Sequence, residues 1–156
     1  MKGQGKKIEG KGAGAEVEAQ EHLIVFRLEN EEYGAPITQV REIRRMGPIT
    51  PMPKAPPAVK GVINLRGKIV PIVDLKQRLE MPTQEPTSST RIVVAEIGED
   101  TVGFIVDSVS EVLQLSPEEV EPPPEVTRQE HITGIGKVGE RLIVLLNLER
   151  VLGEDQ

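Results

Sequence analysis

Two histidines, two strand-end aspartates and one Gly-x-Gly segment are the residues of this 156-residue chain whose types could do chemistry. His22 and His131 stand without a second ligand at metal-binding spacing, so each reads as a strand-edge or surface residue. Asp74 and Asp107 end aliphatic runs and, with His131, could supply a hydrolytic or small-molecule-binding barrel. Their internal counterparts, by the repeat given below, are Asn147 and Thr38, and small polar residues at strand ends suit capping through side-chain to backbone bonds. Gly134-Ile135-Gly136 opens a strand pattern instead of joining a strand to a helix, which excludes a dinucleotide fingerprint. With no cysteine there is no disulfide, thiolate zinc site or thiol nucleophile. The expectation is a protein with no catalytic residue, cofactor or metal.

The elements that position these residues come in two copies. Residues 61–75, GVINLRGKIVPIVDL, recur at an offset of 73 as residues 134–148, GIGKVGERLIVLLNL. Upstream the offset is 69: LIVFRLENEEYG (23–34) matches IVVAEIGEDTVG (92–103), and ITQVREI (37–43) matches VDSVSEV (106–112). Valine (18) and isoleucine (14) fill the aliphatic runs, and 15 glycines with 13 prolines punctuate them, the pattern of short half-buried strands. Hairpins are expected at residues 22–36 and around Arg66-Gly67, with short helices at 75–79 and 148–152 and a helical turn at 116–120. Ile37, Val40 and Ile43 recur every three residues, which predicts a short helix or turn. The polar stretch 83–90, TQEPTSST, reads as a linker between a first β-barrel module (20–82) and a second (91–153), with a disordered Gly/Lys leader at 1–19 and a terminal segment able to cross between barrels. Modules of about 60 residues are marginal alone, so a shared core is expected.

Composition removes several classes. Phe26, Tyr33 and Phe104 are the only aromatics and the net charge is −6, which argues against base stacking, phosphate neutralisation and an aromatic-lined cofactor pocket. The longest apolar runs are strand length, and the N-terminus lacks an apolar signal region. A cytoplasmic protein without membrane insertion is expected. Binding has more support. Val40, Ile43, Val109 and Val112 hold matched places in the two copies and either border an aliphatic groove for an amphipathic partner helix or fill the shared core. Arg66 faces Gly139 in the repeat, so the fold does not demand arginine there. It is either a solvent-exposed hairpin residue or a guanidinium held by Glu42.

KGVINLRGKIVPIVDL, preceded by VREI and followed by VGFIVDSVSEVLQL, closely resembles the CheW family of bacterial chemotaxis coupling proteins over about residues 20–153. The resemblance implies an all-β fold of two five-stranded SH3-like barrels, and a non-catalytic adaptor bridging the cytoplasmic tips of methyl-accepting receptors to the regulatory domain of the histidine kinase CheA. It places a receptor-facing groove at Val40, Glu42, Ile43, Gly61, Arg66, Val109 and Val112, a kinase-facing surface at Ile49, Thr50 and Gly134, and an array contact at Glu121 and Val126. CheW-like regulatory domains of CheA and CheV share the pattern. The absence of kinase, phosphotransfer or receiver sequence favours a stand-alone CheW.

Overall fold

The computed structural model describes residues 21–153; the expected leader at 1–19 lies outside them. The first copy runs β1 (Glu21–Leu28), β2 (Glu31–Pro36), a 3-10 turn (Ile37–Gln39), β3 (Val40–Arg45), β4 (Val59–Leu65), β5 (Lys68–Asp74) and α1 (Leu75–Arg78). The second runs β6 (Arg91–Ile97), β7 (Asp100–Val106), β8 (Ser108–Leu115), a 3-10 turn (Pro117–Glu119), β9 (Val120–Glu121), a 3-10 turn (Glu125–Thr127), β10 (Ile132–Val138), β11 (Arg141–Leu146) and α2 (Leu148–Leu152). The fold is mainly β, with SH3-like barrels built on two sheets. Asp74 caps α1, its carboxylate accepting from the N–H groups of Lys76 and Gln77, and Asn147 caps α2 by accepting from Arg150. The Ser-Pro-Glu-Glu start is a capping box in which Glu119 accepts from the Ser116 N–H at 2.9 Å.

The short helix or turn expected over Ile37, Val40 and Ile43 is confined to the single 3-10 turn Ile37–Gln39, and Val40 and Ile43 lie on β3. Their spacing of three has another cause. Along β3, Val40 faces Ala95, Glu42 faces Val94 and Ile43 faces Val93, so one extra residue is absorbed at Arg41 and the two aliphatics return to one face. β8 repeats the device: Val109 faces Phe26, Glu111 faces Val25 and Val112 faces Ile24, with Ser110 as the extra residue. A matched pair of bulges lies in β4, between Val59 and Gly61, and in β10, between Ile132 and Gly134.

The sheets do not follow the copies. One has the order β3-β6-β7-β5-β4 and the other β8-β1-β2-β11-β10-β9. The first-copy hairpin β1–β2 therefore sits among second-copy strands, and the hairpin β6–β7 among first-copy strands, a reciprocal exchange joined by parallel pairing of β2 with β11 and of β7 with β5. The linker at 83–90 separates sequence copies, whereas the chain passes between sheets at Ile37–Gln39 and at Asp107. The sixth strand, β9, has a one-residue counterpart: Thr50 exchanges two 2.9 Å backbone hydrogen bonds with Val62 beside β4.

Alternation along the strands then makes three cores. Leu23, Val25, Leu115, Ile143 and Leu145 fill one sheet's interior, and Leu65, Val70, Ile72, Ile92 and Val94 fill the other's. The opposite faces meet in a shared core that includes Ile24, Phe26, Val93, Phe104, Leu146 and Leu148. Its two phenylalanines are complementary in the repeat: Phe26 matches Ala95 and Ala35 matches Phe104, so each large ring in one copy corresponds to a small residue in the other, and all four lie in this core. Burying each such side chain stabilises by roughly 1.5–3 kcal/mol. The gross contribution of the shared cluster exceeds the whole net stability of a typical domain, about 5–15 kcal/mol, and neither sheet is expected to persist without it.

Candidate functional site

The residues of the catalytic alternative have other partners in the described structure. The Asp74 carboxylate is occupied as the α1 cap. Asp107, also expected to act only as a cap, does more: it accepts the Glu29 N–H at 2.7 Å and holds the Lys76 ammonium at 3.0 Å, and Glu29 holds the same ammonium at 3.3 Å. The Lys76 side chain is buried, which by itself opposes its charge, but the hydrogen bonds and charges of Asp107 and Glu29 prevail and hold its pKa above the ordinary lysine value. This cluster ties α1 and the β7–β8 crossing to the β1–β2 turn. His131 is pushed below the usual histidine range by burial and by the Arg78 guanidinium. A cavity of about 690 Å³ lined by Leu23, Ile132, Leu145, Arg128 and Arg150 includes none of Asp74, Asp107 and His131. Among the described residues no group of three or more histidines and carboxylates could hold a metal, and no helix is long and apolar enough to cross a membrane.

The aliphatic residues singled out by the repeat divide into two kinds. Val40 and Val109 are partly buried against the shared core. Ile43 and Val112, three residues farther along across the bulge, are 40% and 51% exposed although strand pairing puts them on the face of core residues Val93 and Ile24. Each strand is therefore split: Val40 and Val109 anchor the edge strands against the shared core, and Ile43 and Val112 leave an apolar margin.

Arg66 lies at the β4–β5 turn in the left-handed region, with φ 52°, followed by Gly67 at φ 87°. Two positive φ values suit the tight twist of a hairpin, and Asn64 supports the turn by accepting the Gly67 N–H at 2.8 Å. A left-handed arginine costs roughly 1–2 kcal/mol relative to glycine, the residue found at the matching position 139. Its guanidinium donates to Glu42 at 2.6 Å, and Arg44 reaches the other carboxylate oxygen at 3.2 Å. The Arg66 hydrogen bond, opposed by burial and helped by Arg44, holds Glu42 below the usual carboxylate range. The expected contact is present, on a side chain that is otherwise 70% exposed.

The second sheet contains an equivalent that sequence reasoning missed. Glu111, which matches Glu42, accepts from Arg141 at 2.6 Å, and Arg141 also forks onto both oxygens of Glu32 at 3.1 and 3.0 Å. That fork is the main cause of a Glu32 pKa below the ordinary value. The offset of 69 from Glu42 was the available signal. It did not point to Arg141, because the arginine sits at the start of β11 and not at the Arg66 turn position.

The other expected positions separate. Gly61, with φ 144°, is where the Thr50 carbonyl crosses β4: a Cβ there would lie 2.1 Å from that oxygen and 2.9 Å from Ile49. Gly134 occupies the matching place beside β9, where a Cβ would be 3.1 Å from the Glu121 carbonyl oxygen. Ile49 and Thr50 are therefore on the edge of the five-stranded sheet, while Gly134 is on the six-stranded sheet next to Glu121, so the three do not form one patch. Glu121 pairs with Lys137 at 2.9 Å, and Val126, in the Glu125–Thr127 turn, is 95% exposed.

Comparison with known proteins agrees with this architecture. The CheW-like domain family matches residues 22–156. The chain is 38% identical to the chemotaxis protein CheW of Klebsiella aerogenes over 139 residues, 87% of this chain and 84% of that protein. It is 35% identical to CheW of Bacillus subtilis over 144 residues, 90% of this chain and 92% of that protein. The crystal structure of the scaffolding protein TtCheW from Thermoanaerobacter tengcongensis superposes with a TM-score of 0.82 at 34% identity, covering 88% of this chain and 95% of that one.

Proposed function

This chain belongs to the CheW-like domain family, and from that premise we propose that, as a chemotaxis adaptor, it couples the cytoplasmic tips of methyl-accepting receptors to the regulatory domain of the histidine kinase CheA. The adaptor acts in the cytoplasm, catalyses no reaction and needs no cofactor. The receptor tip lies along the junction of the sheets, over Ile43 and Val112, with Val40 and Val109 as its floor and Glu42 and Arg66 fixing the β3 wall beside Gly61. The observation supporting this choice is the exposure of Ile43 and Val112, two aliphatics that the fold aims at the shared core's margin and leaves uncovered. An amphipathic receptor helix offers the apolar stripe that such a margin fits.

The kinase contact is assigned to the edge carrying Ile49 and Thr50 and to Gly134, and the array contact to Glu121 and Val126. Because Gly134 adjoins Glu121 on the six-stranded sheet, the kinase contact spans two faces, one at Ile49 and Thr50 and one at Gly134 that adjoins the array contact. Two faces suit a protein that links one kinase unit to the next.

Val112→Asp tests the groove. A carboxylate in an aliphatic contact must be desolvated without compensation, so affinity for a receptor-tip fragment should fall tenfold or more, at least about 1.4 kcal/mol. Binding to a CheA regulatory domain and the melting temperature should stay near wild type. Unchanged receptor binding in a pull-down or by calorimetry removes Val112 from the interface.

A further inference from the structure

The two walls of the groove are matched in shape and unmatched in charge. Past Ile43, strand alternation puts Arg45 on the groove-side face, directly opposite Arg91 on β6. Past Val112, the corresponding pair is Gln114 opposite His22 on β1. Like charges directly opposite on a sheet repel, and among the described residues no carboxylate forms an ion pair with either. Arg91 donates to the Ser88 and Thr90 carbonyl oxygens, both at 2.9 Å, which orients the guanidinium without neutralising it. Arg45 is exposed and has no hydrogen bond or ion pair among the described residues. The contrast with neighbouring cations is sharp: Arg41 is paired with Glu96, Arg44 and Arg66 with Glu42, and Arg141 with Glu32 and Glu111. In a chain of net charge −6, two uncompensated cations side by side mark a local anion-seeking spot.

We propose that Arg45 and Arg91 recognise carboxylates on the partner helix, on the flank of its apolar stripe that lies over β3. This rests on the groove reading above. It adds a direction to it: the pseudo-twofold relation of the walls offers an apolar stripe two nearly equivalent orientations, and the cationic pair selects the one that places acidic residues beyond Ile43 rather than beyond Val112. The partner chemistry is thus an amphipathic helix that is acidic along one border only.

The test compares Arg45→Glu, Gln114→Ala and Val112→Asp in the full chain, measuring affinity for a receptor-tip fragment at low and high sodium chloride, with a melting curve for each. Arg45→Glu creates an ion pair with Arg91, so it should melt at or above the wild-type temperature while binding at least tenfold more weakly at low salt and losing the wild-type salt dependence. Gln114→Ala should bind as wild type. A higher melting temperature with weaker binding is an outcome that a merely structural role does not produce. If Arg45→Glu binds with unchanged affinity and salt dependence while Val112→Asp loses binding, the charge proposal is overturned and the groove stands. If neither variant changes binding, the groove reading itself fails.

Discussion

At Arg66 a side chain that the turn would not choose is retained against backbone strain, and strain kept at one position while the matching position has glycine points to a use for the guanidinium. Arg66→Gly should therefore separate stability from function. Relief of the left-handed cost offsets the lost surface ion pair and the greater freedom of glycine in the unfolded chain, leaving stability within about 1 kcal/mol of wild type. Receptor control of the kinase in a reconstituted array should fall, and full control by Arg66→Gly would show that the Glu42 contact is dispensable. Acid titration probes the same carboxylate. Glu42 and Glu32 are both held below the ordinary glutamate value of 4.5, so their stabilisation is complete above that pH and is lost as pH falls through their depressed values. Melting temperatures recorded from about pH 6 to about pH 3 should drop below pH 4.5, and Glu42→Gln should lose less over that window than wild type. A parallel decline in both proteins would count against the Glu42 contribution.

At the scale of elements, two glycines in matching bulges face unequal demands. Gly61→Ala meets a backbone oxygen at 2.1 Å in a conformation that L residues avoid, and the crossing Thr50 strand must move. It should destabilise by more than about 2 kcal/mol and disturb the Ile49–Thr50 edge. Gly134→Ala needs a shift of only a few tenths of an ångström from Glu121 and Val120, so a loss of about 1 kcal/mol or less is expected in urea melts. Equal losses would refute the difference in backbone demand. The same bulges show what was legible beforehand. The aliphatic identities and the spacing of Val40 and Ile43 were visible, yet period three reads as a helical turn until a partner strand reveals that Arg41 is the extra residue. The Arg66–Glu42 contact could be read because the two copies differ at one position. The Arg141 fork and the Lys76 cluster were hidden, since each joins residues far apart in the chain and the repeat does not place Arg141 or Lys76 opposite a residue of the same type.

For the whole molecule, the duplication was plain in the sequence and the exchange of hairpins was not. Local patterns specify strands and turns, whereas the choice of β2 to lie along β11 instead of β5 is settled by long-range parallel pairing and by the shared core. This yields a test by cleavage. A protease site placed in residues 83–90 and cut after folding should leave two fragments that co-elute on gel filtration with the CD spectrum of the intact protein, because every sheet contains strands from both fragments. Separation of folded halves would contradict the exchanged topology.

The same arrangement orders events during synthesis. The strands of one sheet, β3 to β7, occupy a continuous stretch of chain, residues 40–106, and all are available once that stretch has left the ribosome. The hairpin β1–β2 is made first, yet its neighbours β8 and β11 are made last. On a ribosome adding about 5–20 residues per second, the oldest part of the nascent chain must wait several seconds for the youngest, with Leu23, Val25 and Phe26 uncovered in the interval. The exchange of hairpins therefore leaves the first hairpin without its neighbouring strands until synthesis is nearly complete, and a product truncated before β8 lacks the edge that carries Val109 and Val112.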